Sequence, residues 1–330
     1  MTSPASGSAR DLLRLDGAAE TDRICEALGG QVRDVLKRRG LVLGLSGGID
    51  SSVCAALAVR ALGKERVIGL FMPEEDSSPD SLELGRAVAD WLGIRSFLEN
   101  VTPMLEGAGC YHRRDEAIRS VLPEYGPGYK SKLVLPPSSR SAYNIFSVVV
   151  ESPEGVQKRA RLTGEAYLAI VAATNFKQRV RKMMEYYYAD RFNYAVLGTP
   201  NRLEYDQGFF VKNGDGSADV KPIAHLYKTQ VYRLAEVLGV PEDIRRRPPT
   251  TDTYSLAQSQ EEFYFALPYD KLDVCLYGLN HGMTAEAIAP LAGLTVEQVA
   301  FAYKDIRTKR TTTGYLHERP LLVDAVPLAT

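Results

Sequence analysis

A stretch rich in serine and glycine, with the sequence SGGIDSS, occupies residues 46–52 between a short apolar run and a helical pattern. Its two glycines permit a tight turn whose backbone N–H groups face one concavity. The N-terminus of the following helix adds a positive partial charge, and the serine hydroxyls add further donors. Such a loop suits a pyrophosphate group. It is not a Walker loop, because the lysine of the G-x-x-x-x-G-K-[ST] pattern is absent.

The aspartate of this loop, Asp50, would repel a phosphate unless a cation lies between them. Carboxylate oxygens are ligands that Mg²⁺ prefers, so we interpret Asp50 as a magnesium ligand. The alternative is a turn of serine and glycine that only caps the next helix. The position between a strand and a helix favours the phosphate-binding interpretation.

The elements around the loop predict a parallel sheet. Apolar runs at 41–45, 67–71 and 96–98 alternate with helical patterns at 52–62 and 81–92. A glycine follows each helical pattern, as is common at helix ends. This order and spacing predict right-handed crossovers and a doubly wound parallel sheet with helices on both faces. The active site is then expected beyond the carboxyl ends of the strands.

The remainder of the chain alternates between regular and irregular patterns. Residues 12–38 have apolar residues at helical spacing, whereas 104–174 look irregular apart from a strand-like run at 146–150. The regular pattern then returns with a helix at 175–189, a strand at 194–197 and a helix at 226–238. We therefore expect a single domain over 1–330 with an irregular insertion at about 104–174.

The composition excludes several functional classes. The chain has 330 residues, 45% of them hydrophobic, and a formal net charge of −1, which argues against an extended nucleic-acid surface. The four cysteines form no CxxC pair and the four histidines show no ligand spacing, which disfavours a disulfide framework or a zinc site. No signal peptide is evident, and no apolar stretch approaches the ~20 residues of a membrane span. We expect a cytoplasmic protein.

Residues 46–52 match the SGGxDS signature of the ATP pyrophosphatase superfamily. The resemblance implies an adenine-nucleotide alpha-hydrolase-like fold. It also implies that the loop binds ATP, which is cleaved between its α- and β-phosphates as AMP passes to a substrate oxygen. The superfamily includes NAD synthetase, GMP synthetase, asparagine synthetase and tRNA-thiolating enzymes, and the loop alone does not distinguish them.

Motifs further along the chain are similar to those of NAD synthetase, nearly position for position. They are NFKQRVR at 175–181, GTPNRLE at 198–204, GFFVKNGDG at 208–216, Asp219, LYKTQ at 226–230 and PTTD at 249–252. The resemblance covers roughly residues 40–102 and 175–310, and the combined motifs are far more specific than any one of them.

The resemblance implies a role for each matching residue. The pyrophosphate of ATP is implied to bind to the loop residues Ser46, Gly47, Gly48, Asp50, Ser51 and Ser52. The other implied ATP contacts are Thr199, Lys228 and Thr250. The implied Mg²⁺ ligands are Asp50 and Glu204. The implied contacts of the dinucleotide that supplies the carboxylate are Arg179, Lys212, Asp219 and Lys309. Of these residues, the resemblance assigns the catalytic charges to Asp50, Lys228 and Lys212.

Two structural alternatives apply to the charged residues. A lysine near the start of a helix, such as Lys228, is disfavoured by the helix dipole, which supports a ligand role over a structural one. Lys212 and Asp219 could instead belong to a glycine-rich hairpin, because Asn213-Gly214 is a strong turn signal.

The NFKQRVR helix carries three cations that cannot all face one ligand. Lys177 and Arg181 are four residues apart and share a face, whereas Arg179 points about 200° away from Lys177. We assign Arg179 to the substrate. We predict that Lys177 and Arg181 lie in ion pairs or at a subunit interface.

Three features depart from the NAD synthetase pattern. The C-terminal H-K-R signature appears as Thr308-Lys309-Arg310, without the histidine. The loop that normally continues into D-E-L-G has aromatic bulk at 263–265 instead. The insertion at 104–174 is longer than the family's usual connection, and we hypothesise that it packs over the acyl site or against a partner subunit.

The implied reaction is ATP-dependent amidation of deamido-NAD to NAD through an acyl-adenylate, with release of AMP and pyrophosphate. No Cys/His/Glu constellation of a glutaminase is evident, so the nitrogen donor is expected to be ammonia, either free or supplied by a separate glutaminase. The resemblance also implies a homodimer. The alternatives are a ligase of this family that amidates another carboxylic acid, and a nucleotide-binding module without catalysis. The pair Asp50 and Glu204 disfavours the second alternative, because a binder would not need both metal ligands.

Overall fold

The computed structural model describes residues 9–134, 146–248, 253–256, 264–265 and 267–326. The strands are β1 (Leu41–Gly44), β2 (Val67–Phe71), β3 (Arg95–Leu98), β4 (Lys130–Val134), β5 (Ser147–Glu151), β6 (Gln157–Arg161) and β7 (Ala195–Val196). The helices of the first half are α1 (Ala9–Leu12), α2 (Gly17–Gly30), α3 (Ile49–Leu62), α4 (Pro79–Leu92), α5 (Thr102–Gly107) and α6 (Cys110–Arg119). Those of the second half are α7 (Gly164–Phe192), α8 (Arg202–Gln207), α9 (Lys228–Leu238), α10 (Glu242–Arg246), α11 (Tyr269–Asn280), α12 (Ala285–Ala292) and α13 (Val296–Thr313).

The main sheet has four parallel strands in the order β3-β2-β1-β7. β1 pairs with β2 on one side and with β7 on the other, so the chain changes direction along the sheet at β1. In a doubly wound sheet, the crevice outside the carboxyl ends at such a point is where ligands bind. The end of β1 is followed directly by the SGGIDSS loop.

Helices cover both faces of this sheet, which confirms the predicted fold class. Leu41 and Leu43 of β1 face a core that includes residues of α2, α3 and α9. Val42, between them, faces a second core that includes residues of α5, α6 and α7. This alternation follows from the period of two in a strand, and it explains why β1 is apolar on both faces.

The segment 104–174 is more regular than the sequence suggests. Its described residues contain most of α5, all of α6, the start of α7 and an antiparallel sheet in the order β4-β5-β6. The predicted strand at 146–150 is confirmed as β5. The expectation of an irregular segment is wrong for these residues, because a separate apolar core that includes Leu133 and Val148 gives them something to pack against.

Helix α7 is longer than predicted at both ends. Thr163 begins it by accepting a hydrogen bond from the backbone N–H of Ala166, and Asn193 ends it in the left-handed conformation. The predicted helix at 12–38 is shorter, because Asp16 caps α2 and the chain passes into a π-helical turn at Gln31–Val35. Among the described residues, no helix is both long and apolar enough to span a bilayer.

Candidate active site

The SGGIDSS loop forms a tight turn between β1 and α3. Gly47 has a φ of +70°, and a Cβ atom there would lie 2.5 Å from the Cβ of Leu84, so this position requires glycine. The Ser46 and Ser51 hydroxyl oxygens are 3.2 Å apart. Ser52 is buried and donates to the Gly48 carbonyl at 2.8 Å, so its hydroxyl holds the helix start.

A cavity of about 830 Å³ lies beyond the carboxyl ends of the strands. The sequence-predicted residues that line it are Ser46, Gly48, Asp50, Ser51, Arg179, Thr199, Glu204, Lys212 and Lys228. Gly47, Ser52, Asp219 and Lys309 are not among the described residues that line it. Thr250 and the rest of the PTTD motif lie outside the described residues. The structure thus brings most of the predicted ATP-site residues around one space.

Three charged side chains meet at the start of α9. Lys228 is buried, and its ammonium donates to the Asp50 carboxylate. Asn201 donates from its side-chain amide to Asp50 at 3.3 Å, and its backbone N–H donates to Glu204 at 3.1 Å. Asp273, which sequence analysis did not identify, accepts from the backbone N–H groups of Lys228 and Thr229 and so fixes the first turn of α9. Lys228 occupies its unfavourable helix position because this constellation holds it there.

The electrostatics of this group favour a cation. Burial raises the pKa of Glu204 to about 8, and the negative charge of Asp50 adds to the shift. Burial alone would lower the pKa of Lys228, but the charges of Asp50 and Glu204 together raise it. Two carboxylates in one buried site repel each other, and positive charge between them relieves that repulsion.

The residues present fit a magnesium ion shared with phosphate. No group of three His, Cys, Asp or Glu side chains able to hold a metal occurs within the described parts of the chain. Mg²⁺ is typically bound through one or two carboxylates together with substrate phosphates rather than by a protein cage. Asp50 and Glu204, beside the SGGIDSS loop, provide the carboxylates of that donor set.

The residues assigned to the dinucleotide are more dispersed. Arg179 donates to the Lys212 carbonyl at 3.3 Å, and the Lys212 ammonium donates to the Tyr315 carbonyl at 2.6 Å. Asp219 is exposed and accepts from the Val196 backbone N–H at 2.7 Å, at the end of β7. These contacts place Arg179 and Lys212 together at the cavity wall, with Asp219 outside it.

Lys309 and the aromatic loop form a neighbouring cluster. The Lys309 ammonium donates to Asp305 and, at 2.7 Å, to the Tyr264 carbonyl, and it lies 4.4 Å from the centre of the Tyr264 ring. The Tyr264 ring stacks on Phe209 with centroids 4.6 Å apart, and Tyr264 itself lines the cavity. Tyr264 therefore forms part of the cavity wall, whereas Phe265 is buried and is not among the lining residues, and Phe263 lies outside the described residues.

The prediction that Lys177 and Arg181 lie in ion pairs is confirmed. Lys177 is fully buried and donates to Glu74 at 3.0 Å, to Asp76 at 2.6 Å and to the Thr253 carbonyl at 2.7 Å. Arg181 donates to the Met72 carbonyl at 3.1 Å and lies 4.0 Å from Glu74.

Sequence analysis missed two parts of the cavity wall. Lys182 and Glu185, on α7, are a buried ion pair whose spacing looks like that of any surface pair. The chain from Thr312 to Leu316 also lines the cavity, at and beyond the end of α13. No turn or charge signal in the sequence indicates that this segment returns to the site.

A doubly wound sheet with an SGGIDSS loop at its point of reversal defines a nucleotide-dependent enzyme of the ATP pyrophosphatase superfamily. The model of the family described as NAD synthase matches residues 20–118 and 143–313. The chain therefore belongs to the NAD synthase family, whose members use ATP, and it is a ligase that forms carbon–nitrogen bonds. The segment that the family model leaves unmatched between its two parts is 119–142.

Similar proteins agree with this assignment. The chain is 63% identical over 312 residues to the NH(3)-dependent NAD(+) synthetase of Mesorhizobium japonicum, covering 94% of this chain and 98% of that relative. It is 38% identical over 243 residues to the NH(3)-dependent NAD(+) synthetase of Thermotoga maritima, covering 73% of this chain and 80% of that relative. These relatives do not favour the alternative of a ligase for another carboxylic acid.

Two solved structures share the fold. An NMN synthetase from Francisella tularensis superimposes with a TM-score of 0.66 at 21% identity, covering 94% of this chain and all of that one. An NH3-dependent NAD synthetase from Campylobacter jejuni superimposes with a TM-score of 0.61 at 22% identity and the same coverage. At 21–22% identity, this similarity shows a shared fold and nothing further.

Proposed function

We propose that this chain amidates deamido-NAD to NAD with ammonia, at the expense of ATP, which is converted to AMP and pyrophosphate. The observation that carries the proposal is the joint position of Asp50, Glu204 and Lys228 beside the SGGIDSS loop, in a chain 63% identical to an NH(3)-dependent NAD(+) synthetase. The three charges and the loop supply what adenylation requires: a cradle for pyrophosphate and compensation of charge at the α-phosphorus.

We propose a role for each residue on the ATP side of the cavity. We assign the pyrophosphate to the loop residues Ser46, Gly47, Gly48, Ser51 and Ser52, through backbone N–H groups and hydroxyls. Lys228 offers a point charge to phosphate once its pairing with Asp50 is loosened. We assign Thr199 and Thr250 to further ATP contacts. Mg²⁺ bound to Asp50 and Glu204 would neutralise phosphate charge and orient the leaving pyrophosphate.

The acyl substrate is assigned to the other side of the cavity. Arg179 and Lys212 provide positive charge for a dinucleotide that carries a carboxylate and two phosphates. Asp219 and Lys309, which lie outside the cavity lining, would contact parts of the dinucleotide that extend beyond it. Holding both anions in one space turns the attack of carboxylate on ATP into an effectively intramolecular reaction.

A homodimer is supported by the outer surface of α7. Met183 and Tyr187, one turn apart on this helix, are large apolar side chains that are more than half exposed. Apolar surface of this kind on a long helix is typical of an interface. We therefore propose that two copies of the chain pack through α7, with ammonia reaching each site either from solution or from a separate glutaminase.

The test is product formation by the purified chain. Incubation with ATP, Mg²⁺, deamido-NAD and ammonium should yield NAD, AMP and pyrophosphate in equal amounts. Omission of deamido-NAD should abolish pyrophosphate release. Formation of ADP and phosphate, or release of pyrophosphate without NAD, would contradict the proposal.

A further inference from the structure

One buried ion pair in the cavity has no role in the scheme above. Lys182 and Glu185 lie one turn apart on α7, are 5% and 7% exposed, and both line the cavity. The Lys182 ammonium donates to Glu185 Oε2. Desolvation of a buried pair can cost more than its attraction returns, so such a pair is weak evidence of a stabilising role. Ligand sites place a small number of polar or charged groups in a cavity, and this pair is placed in that way.

The pair lies at the end of β1. A Cβ atom on Gly44, the last residue of β1, would be 3.1 Å from Glu185 Oε1. Ser46, at the start of the pyrophosphate loop, is only two residues further on. Asp50 and Lys228 approach the same edge of the sheet from α3 and α9, which pack on the opposite face from α7. The pair therefore approaches the cavity from the opposite face of the sheet to Asp50 and Lys228.

The positive charge of Lys182 also reaches the segment after the GFFVKNGDG motif. Burial lowers the pKa of Lys221, the neighbouring charge of Lys182 lowers it further, and the charge of Asp215, which also lines the cavity, opposes this shift. Lys221 donates to the Gly216 carbonyl at 2.6 Å, which ties it to the end of that motif. Lys182 lines the same cavity as Arg179 and Lys212, the residues assigned to the acyl substrate.

The other cations discussed for this cavity have their partners on different segments of the chain. Lys212 donates to the carbonyls of Tyr315 and Glu318, and Arg181 donates to that of Met72. Lys228 is committed to Asp50 on the ATP side. Lys182 differs because its hydrogen-bond partner is a carboxylate on its own helix, and an ammonium has three donors, so it can hold Glu185 and a second carboxylate together.

We propose that Lys182, aimed by Glu185, binds the carboxylate of the acyl substrate and stabilises its carbonyl oxygen during both transfer steps. This inference rests on the proposed function. In the first step, one carboxylate oxygen bonds to the α-phosphorus and the bond to the bridging oxygen of pyrophosphate breaks. In the second, the ammonia nitrogen bonds to the carbonyl carbon, the bond to the AMP oxygen breaks, and the nitrogen gives one proton to water. Lys182 transfers no proton in either step, and Glu185 is a positioning residue.

The test compares a ligand that has the carboxylate with one that lacks it. NAD differs from deamido-NAD by an amide in place of the carboxylate. Lys182→Met should raise the KM for deamido-NAD by about 10- to 100-fold, as loss of a charged hydrogen bond implies. The inhibition constant of NAD and the KM values for ATP and ammonium should change by less than about 3-fold.

A second variant separates recognition from folding. Lys182→Met leaves Glu185 buried without its partner, which can itself destabilise the chain. The double variant Lys182→Met, Glu185→Gln removes both charges and should recover the melting temperature but not the preference for deamido-NAD. Arg233→Met, which breaks an exposed pair of the same spacing with Glu236, is the matched control and should behave as the wild type.

Several results would overturn the inference. A double variant that favours deamido-NAD over NAD as strongly as the wild type would make the pair structural. A Lys182→Met variant that changes only the KM for ammonium would place the pair in the second substrate's site. If the wild type shows no ATP–pyrophosphate exchange stimulated by deamido-NAD, the proposed function fails and this inference falls with it. If the wild type shows this exchange but the Lys182 variants keep the wild-type KM for deamido-NAD, this inference fails while the proposed function stands.

Discussion

Two buried lysines, Lys228 and Lys177, meet carboxylates at the same edge of the main sheet, but their surroundings differ. Lys228 donates to Asp50, whose side chain is 17% exposed, and both residues line the cavity. Lys177 uses its three donors on Glu74, Asp76 and the Thr253 carbonyl, within a fully packed site. A buried charge whose hydrogen bonds are complete within the chain holds the fold. A buried charge that opens on a cavity can exchange its partner for a ligand.

The difference predicts a large loss of stability when the packed lysine is removed. Lys177→Met should lower the free energy of unfolding by about 3–5 kcal/mol, because it removes the ammonium that contacts both Glu74 and Asp76 and leaves only Arg181, 4.0 Å away, beside the buried Glu74 carboxylate. Urea denaturation measures this directly. A loss below about 1 kcal/mol, typical of an exposed ion pair, would show that Lys177 does not stabilise the fold in the way proposed here.

Substitution of Asp50, the carboxylate that faces the cavity, should reduce activity more than stability. Asp50→Asn should cost less stability than Lys177→Met, because the charge of Glu204 still acts on Lys228. It should reduce pyrophosphate release by at least ~10²-fold, as removal of a charged transition-state contact typically does. Steady-state kinetics at saturating Mg²⁺ is the measurement. Near-normal turnover would remove Asp50 from the reaction.

Glu204 is both a candidate Mg²⁺ ligand and part of the cap of α8, so its substitution separates a functional role from a structural one. In Glu204→Gln the amide oxygen can still accept from the Asn201 backbone N–H, so the cap on α8 is retained. We expect an increase of about 10-fold in the Mg²⁺ concentration that gives half-maximal rate, with little change in Tm. A variant that unfolds would assign Glu204 to structure only.

The smallest expected effect lies at the edge of the packed cluster. Tyr111 donates from its hydroxyl to Glu74 at 2.8 Å, so Tyr111→Phe should cost about 1–2 kcal/mol of stability. The KM for ATP should not change. A rise in that KM would show that the Lys177 cluster communicates with the ATP site.

Much of the site was predictable because its signals are local. The SGGIDSS loop lies between a strand and a helix, and parallel strands bring their carboxyl ends to one edge of the sheet. The position of the cavity could therefore be predicted from the order of strands and helices. The pairing of Lys177 followed from its helix face. Gly47 could be assigned to the turn, because a tight turn needs a residue with positive φ.

Other parts depend on contacts between distant residues, which no local pattern reveals. The β4-β5-β6 sheet is stable because its core includes side chains from α6, α7 and Tyr254. The start of α7 at Thr163 was hidden because the irregular appearance of 104–174 obscured its cap. Lys182 and Glu185 were not identified, because their spacing is also that of an exposed pair and spacing alone does not give burial. The Tyr315 contact with Lys212 joins residues 103 positions apart.

The central claim is that the Asp50 side of the cavity activates the carboxylate of deamido-NAD with ATP. Exchange of labelled pyrophosphate into ATP, measured without ammonia, isolates this step from amidation. The account predicts exchange that requires both Mg²⁺ and deamido-NAD in the wild type and falls by at least ~10²-fold in Asp50→Asn. Absence of exchange in the wild type, or exchange that persists in Asp50→Asn, would contradict it.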